Sequence, residues 1–149
     1  MRIALHQPEI AGNVGTILRL AACLGIAVDV IEPCGFAFGD RALARAGMDY
    51  AERAAVTRHA DWAAFRDATP ARLMLFTTTG DVRLPDARFD ADDVLLFGSE
   101  GAGAPRHVHD AATQRLRIPI AADARSLNLA IAVAMAAGEA IRQTGGWPA

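Results

Sequence analysis

At 149 residues, 52% hydrophobic and 21% charged, the chain has the length of one domain with its own core. Its 17 Asp and Glu against 15 Lys and Arg leave a net charge of −2, which argues against bulk electrostatic binding to nucleic acid. No stretch approaches the ~20 uninterrupted apolar residues of a membrane span, and the apolar run in MRIALHQPEI is too short for a secretory signal, so a cytoplasmic location is expected.

In chain order, RIALH (2–6) reads as a strand. NVGTILRLAACLG (13–25) reads as a helix: Asn13 stands in a capping position, Val14, Ile17, Leu18, Ala21 and Leu24 share a face, and Gly25 ends it. Arg19 interrupts the apolar pattern between Leu18 and Leu20; a solvated arginine on the helix edge would explain it without any function. IAVDVI (26–31) is the next strand. GDRALARAGMDY (39–50) suggests a short helix capped by Asp40, with Arg41 and Arg45 on one side. AAVTR (54–58) is a short strand candidate, and DWAAFRDA (61–68) a helix capped by Asp61. RLMLFTT (72–78) and DVLLF (93–97) are continuous apolar runs, the pattern of strands buried on both faces. TGDVRLPDARFDAD (79–92) between them reads as a polar loop. APRHVHDAA (104–112) is a short helix, RLRIPI (115–120) a strand, and residues 126–143 a final helix that Ser126 can cap.

This alternation predicts one α/β domain over 1–149, a mostly parallel sheet flanked by helices, with ligands gathering at the carboxyl ends of the strands. Around the final helix, Leu127, Leu129, Ile131, Val133, Met135 and Ile141 make an apolar surface wider than one stripe. Either the helix is sunk in the monomer core or it forms a dimer interface, and the small chain favours the dimer. Cys23 is expected to be a buried thiol. With no CxxC spacing to Cys34, and no cysteine near His107 and His109, neither a disulfide nor a metal site is expected. The sequence contains no lysine, so every cation is an arginine, the side chain that grips phosphate bidentately. A local arginine patch remains open on a near-neutral protein.

FGSEGAGAP (97–105) follows a strand and carries Gly98, Gly101 and Gly103, as a phosphate cradle would. The spacing GxxGxG is not the dinucleotide fingerprint, and no Lys-Ser/Thr pair follows. Glu100 in the middle of the loop would repel a triphosphate, so a neutral or cationic ligand fits better. A glycine loop that only turns the chain explains the residues equally well. In SLNLA (126–130), Asn128 lies in an apolar run where its amide needs a partner.

NVGTILR, FGSEGAGAP and IPIAADARSLNLAIAVA, in that order, resemble the three motifs of the SPOUT superfamily of RNA methyltransferases. HQPEIAGNVGTILRL, IEPCGFAF, LARAGMDY and RLMLFTTTG extend the resemblance to the TrmL-type tRNA (cytidine/uridine-2′-O-)methyltransferases, over Arg2 to Gln143. The resemblance implies a deep trefoil knot at the C-terminal end of the domain, a homodimer, S-adenosylmethionine as methyl donor, and the ribose of the wobble nucleotide in the tRNA anticodon stem-loop as acceptor. It implies a cofactor pocket of Phe76, Gly98, Ile118 and Ser126, with Glu100 and Gly103 supporting its loop and Leu127 and Asn128 in the third motif. Arg19 matches the arginine of the first motif.

A free guanidinium stays protonated near neutrality, so Arg19 is expected to hold a phosphate or developing oxyanion rather than to act as a base. Asn128 or Ser126 would orient ribose or cofactor. Arg41, Arg45 and Arg125, with Arg106, are the candidate RNA-docking residues, although a solvated surface explains each alone. The chain departs from the family pattern at Ala11 and Gly12, where two prolines are usual. Ala102 stands in place of an arginine, and Ala130 and Ile131 in place of Ser and Asn. The alternative is a SPOUT-fold RNA-binding protein without activity.

Overall fold

The computed structural model describes residues 1–39, 41, 45, 50 and 53–149. The elements run β1 (Arg2–His6), α1 (Ala11–Leu24), β2 (Ala27–Ile31), β3 (Val56–His59), α2 (Trp62–Ala68), β4 (Leu73–Phe76) and β5 (Val82–Arg83). A 3-10 turn (Leu84–Asp86), β6 (Val94–Phe97), α3 (Arg106–Ala111), β7 (Gln114–Arg117) and α4 (Leu129–Thr144) complete them. The strands form one seven-stranded sheet in the order β3-β2-β1-β6-β4-β7-β5, and every pairing is parallel.

Side chains alternate across a strand, so each central strand feeds two cores. Ile3, Leu5, Val28, Val30, Met74, Leu95 and Phe97 face α1 and α4. Ala4, Ile31, Leu73, Leu75, Val94 and Leu96 face the opposite layer, where Phe65 of α2 and Val108 of α3 pack. On α1 the buried stripe is Val14, Ile17, Leu18 and Ala21, at helical spacing, and Gly25 closes the helix with φ 67°. Asp61 caps α2 by accepting from Ala64 N at 2.8 Å.

Several sequence readings change. α1 starts at Ala11 with Ile10 in the cap position, so Asn13 lies inside the first turn and does not cap it. α4 starts at Leu129: its cap is Asn128, whose Oδ1 accepts from Ala130 N (2.9 Å) and Ile131 N (3.4 Å), not Ser126. The stretch 79–92 is not a plain polar loop. Val82 and Arg83 pair with Leu116 and Arg117, while Leu84, Ala87 and Phe89 are buried beneath its charged residues. β7 stops at Arg117, two residues before Pro119, which has no N–H to offer a ladder. Cys23 is exposed, because it shares the outer face of α1 with Thr16 and Arg19. The helix expected over 39–50, with its Asp40 cap, lies largely outside the described residues.

α4 divides its apolar surface. Val133, Ala136, Ala137, Ala140 and Ile141 are buried against the sheet and α1, while Ile131 and Met135, one turn apart, are 52% and 45% exposed. Leu127, just before the helix, is 37% exposed.

Candidate functional site

The chain order places β6, a late strand, between β1 and β4, so the sheet has a switch point there. Crossovers leave a crevice at the carboxyl ends of the strands around such a point. Here it is a cleft of about 710 Å³, walled by the segments that follow β4 (Thr77–Thr79), β6 (Gly98–Ala104) and β7 (Ile118, Ile120 and Arg125–Asn128). Phe76 and Phe97 floor it from adjacent strands, their rings stacked at 4.9 Å and 9°. His109 of α3, Ile10 at the cap of α1, Asn13 of α1, and Leu129 and Ala132 of α4 complete the lining.

The loop after β6 is set by backbone. Ser99 and Gly103 exchange N–H to carbonyl bonds at 3.2 and 3.0 Å, with Gly103 at φ 69°. A Cβ on Gly98 would stand 2.3 Å from both Gly103 C and Ala104 N, so the turn closes this tightly only without a side chain there.

Glu100 uses its carboxylate on the start of α1. It accepts from Glu9 N (2.7 Å), Ile10 N (3.2 Å) and Asn13 Nδ2 (3.2 Å). A negative charge at a helix N-terminus satisfies donors that have no intrahelical partner and opposes the helix dipole. That explains why α1 needs no side-chain cap of its own. Asn13 Oδ1 in turn accepts from Asn128 Nδ2 at 2.9 Å, and Asn128 Oδ1 caps α4. One polar chain thus joins the loop after β6, the first turn of α1 and the start of α4: Glu100, Asn13 and Asn128. The partner that Asn128 needed in its apolar run is Asn13, 115 residues away.

Of the residues singled out from sequence, the cleft gathers Phe76, Gly98, Glu100, Gly103, Ile118, Ser126, Leu127 and Asn128. It also gathers Arg125, which stands at the cleft itself and not with Arg41 and Arg45, both exposed. Glu100 makes no contact with Arg19 among the described residues. Arg19 does not line this cleft; its guanidinium lies 5.1 Å from the centre of the Tyr50 ring. Sequence reasoning missed Asn13 as the middle of the network, His109 and the threonines of the cleft wall, and Tyr50. Periodicity carries no signal for contacts between residues this far apart in the chain. Cys34 does not line the cleft, and burial, then the charge of Glu32, pushes its thiol up to about 11.

The cleft has an apolar floor and a rim that mixes polar groups with Ile10, Ile118, Ile120 and Leu127, and it is built of backbone loops in place of a lysine-bearing phosphate cradle. Proteins of known identity share the sequence and this architecture. The model of the SpoU rRNA Methylase family matches residues 1–138. A tRNA (cytidine(34)-2′-O)-methyltransferase of Ancylobacter novellus is 49% identical, with 99% of this chain and 95% of that protein aligned. The enzyme of the same name from Escherichia coli K12 is 45% identical over 97% and 94% of the two chains. A solved structure described as bearing on 2-OH methylation of C/U34 on tRNA superposes with a TM-score of 0.92 at 43% identity, covering 95% of this chain and 94% of that one. The SpoU methyltransferase AviRb of Streptomyces viridochromogenes, in complex with AdoMet, superposes with a TM-score of 0.83 at 27% identity, over 96% of this chain and 57% of that one. With three motifs converging on one cleft and a family match over nearly its whole length, the chain belongs to the SpoU family of RNA methylases.

Proposed function

We propose that this protein transfers a methyl group from S-adenosylmethionine to the ribose 2′-OH of nucleotide 34 of tRNA, cytidine or uridine. The names of its relatives give 2′-O-methylation of cytidine 34 and 2-OH methylation of C/U34, and a SpoU methyltransferase of the same fold holds AdoMet. The observation that carries the reading is the convergence of the three motif loops on one cleft, held together by the Glu100–Asn13–Asn128 network.

The residues present suit that donor. A cleft of about 710 Å³ is within the range of small-molecule sites. Phe76, Ile118 and Leu127 offer apolar walls, and the backbone of the Gly98–Gly103 loop offers donors and acceptors. A carboxylate at Glu100 is compatible with a sulfonium, whereas it would oppose a triphosphate. S-adenosylmethionine supplies an electrophilic methyl on that sulfonium. Phe76, Gly98, Ile118, Ser126 and Leu127 would hold it, and Gly103 and Glu100 would keep the loop in shape. Asn128 acts through position: both ends of its amide are engaged, one on the α4 cap and one on Asn13.

The chain's further task is to hold a weakly nucleophilic hydroxyl in line and to stabilise charge as it develops there. Arg19 takes that role, on a ribose oxygen or the adjoining phosphate. Because Arg19 does not line the cleft of its own chain, the complete site pairs the cleft of one subunit with Arg19 of the partner subunit. The exposed apolar residues Leu127, Ile131 and Met135 support such a dimer, since they continue the cleft rim onto the open face of α4. The C-terminal trefoil knot belongs to the same reading. RNA docks through Arg41, Arg45 and Arg125.

Labelled methyl transfer to tRNA transcripts tests the proposal. Wild type should transfer label, Arg19→Ala should lose most turnover while binding S-adenosylmethionine normally, and binding of tRNA should weaken steeply with salt. Full turnover in Arg19→Ala would overturn the role given to Arg19.

A further inference from the structure

Arg19 is exposed on α1, and among the described residues no ion pair or hydrogen bond restrains its guanidinium. A long side chain on the surface loses several freely rotating torsions when it must stay in one place, and a catalytic charge needs to be placed in advance. What does hold it is the half-buried Tyr50, whose ring centre lies 5.1 Å from the Arg19 guanidinium. Arg53 stands at the same ring, 6.0 Å from its centre.

The choice of holder matters chemically. A carboxylate would fix Arg19 by consuming its N–H donors and cancelling its charge. An aromatic face attracts the cation through the ring quadrupole and leaves the N–H edges free to donate. Two guanidiniums gathered at one ring, with no carboxylate between them among the described residues, repel each other and attract an anion. The anion that the reaction brings is the phosphodiester of RNA.

Resting on the transferase reading above, we infer that Tyr50 is a positioning residue: it holds Arg19 in a charge-retaining stack, and with Arg53 it forms a two-armed clamp for the RNA phosphate beside the target ribose. Tyr50 acts through Arg19 and does not touch the reacting atoms.

The test uses the full-length protein, tRNA transcript and labelled S-adenosylmethionine. Tyr50→Leu should lower kcat by about tenfold, the scale of one cation–π contact, while S-adenosylmethionine affinity and Tm stay at wild-type values. Tyr50→Phe, which keeps the ring face, should keep the rate. Arg53→Ala should raise KM for tRNA and flatten its salt dependence, and an unchanged KM and salt slope would overturn the second arm of the clamp. The double-mutant cycle separates positioning from packing. In the Arg19→Ala background Tyr50→Leu should cost nothing further, whereas independent, multiplying losses would overturn the inference. Should Tyr50→Leu lower Tm, mono-, di- and trifluorinated phenylalanine at position 50 weaken the ring quadrupole at nearly constant volume. A stepwise fall in kcat along that series supports the inference, and a flat series overturns it. No label transfer by the wild type would instead defeat the transferase reading itself.

Discussion

Removing the Glu100 carboxylate should destabilise the protein even with no ligand present, because its partners lie within the chain. Three donors converge on it: Glu9 N at 2.7 Å, Ile10 N at 3.2 Å and Asn13 Nδ2 at 3.2 Å. A fully buried hydrogen bond to a charged acceptor contributes about 1.5–3 kcal/mol. The two backbone donors lie at the surface and regain water when the carboxylate goes, so most of their share is returned. The part-buried Asn13 amide and the charge at the α1 N-terminus remain, which leaves about 1–2 kcal/mol for Glu100→Ala. For a chain of this size each kcal/mol moves Tm by roughly 2–4 °C, so Tm should fall by about 2–8 °C. Glu100→Gln keeps an acceptor and loses the charge, and should lie between. Circular-dichroism melts of the ligand-free protein measure this directly, and calorimetry should show weaker S-adenosylmethionine binding because the loop is released from α1. If ligand-free Glu100→Ala melts within about 1 °C of wild type, the carboxylate is not the tie described here.

Gly98→Ala should reduce S-adenosylmethionine affinity by about tenfold or more, since its Cβ would meet backbone at 2.3 Å and displace the loop; unchanged calorimetric affinity would show that the loop can yield. Met135→Asp, on the 45% exposed position of the α4 stripe, should shift sedimentation toward the single chain and reduce turnover with it, while Tm of the subunit holds. His6 is 2% exposed with Nδ1 unpartnered among the described residues, and burial, then the neighbouring His107, lowers its pKa. The folded state therefore binds fewer protons than the unfolded one. The stability this group contributes is whole above its ordinary value of 6.5 and is lost as pH falls through the lowered value. His6→Phe should remove that loss: denaturant melts at pH 7.5 and 5.5 should differ less than in wild type, and an unchanged difference would refute the assignment.

Some of this was legible in the sequence because it is local. The Val14, Ile17, Leu18, Ala21 stripe, the Asp61 cap and the Gly25 stop are decided within a few residues, and the structure keeps them. The apolar runs at 72–78 and 93–97 read as buried strands, and the structure forms strands within them, at Leu73–Phe76 and Val94–Phe97, with both faces of each covered. What failed was decided at a distance. SLN offers two capping side chains, and Asn128 takes the role while its other end meets Asn13, far away in the chain. Asn13 looked like a cap until Glu100, some 90 residues on, supplied the charge at that helix start. β5 is two residues long, too short for any period, and exists only because β7 offers an edge. The motif residues of the cleft were found by resemblance; their shared position at the ends of β4, β6 and β7 is the physical reason the resemblance has content.

The most direct test of the central claim is methyl transfer to a set of tRNA transcripts, each with a single 2′-deoxynucleotide, at position 34 or at one of its neighbours. The account predicts that the substitution at position 34 alone abolishes transfer of label, because it removes the accepting oxygen named for the relatives of this chain. Undiminished transfer to the transcript lacking that oxygen, or loss of transfer only when a different ribose is altered, would contradict it.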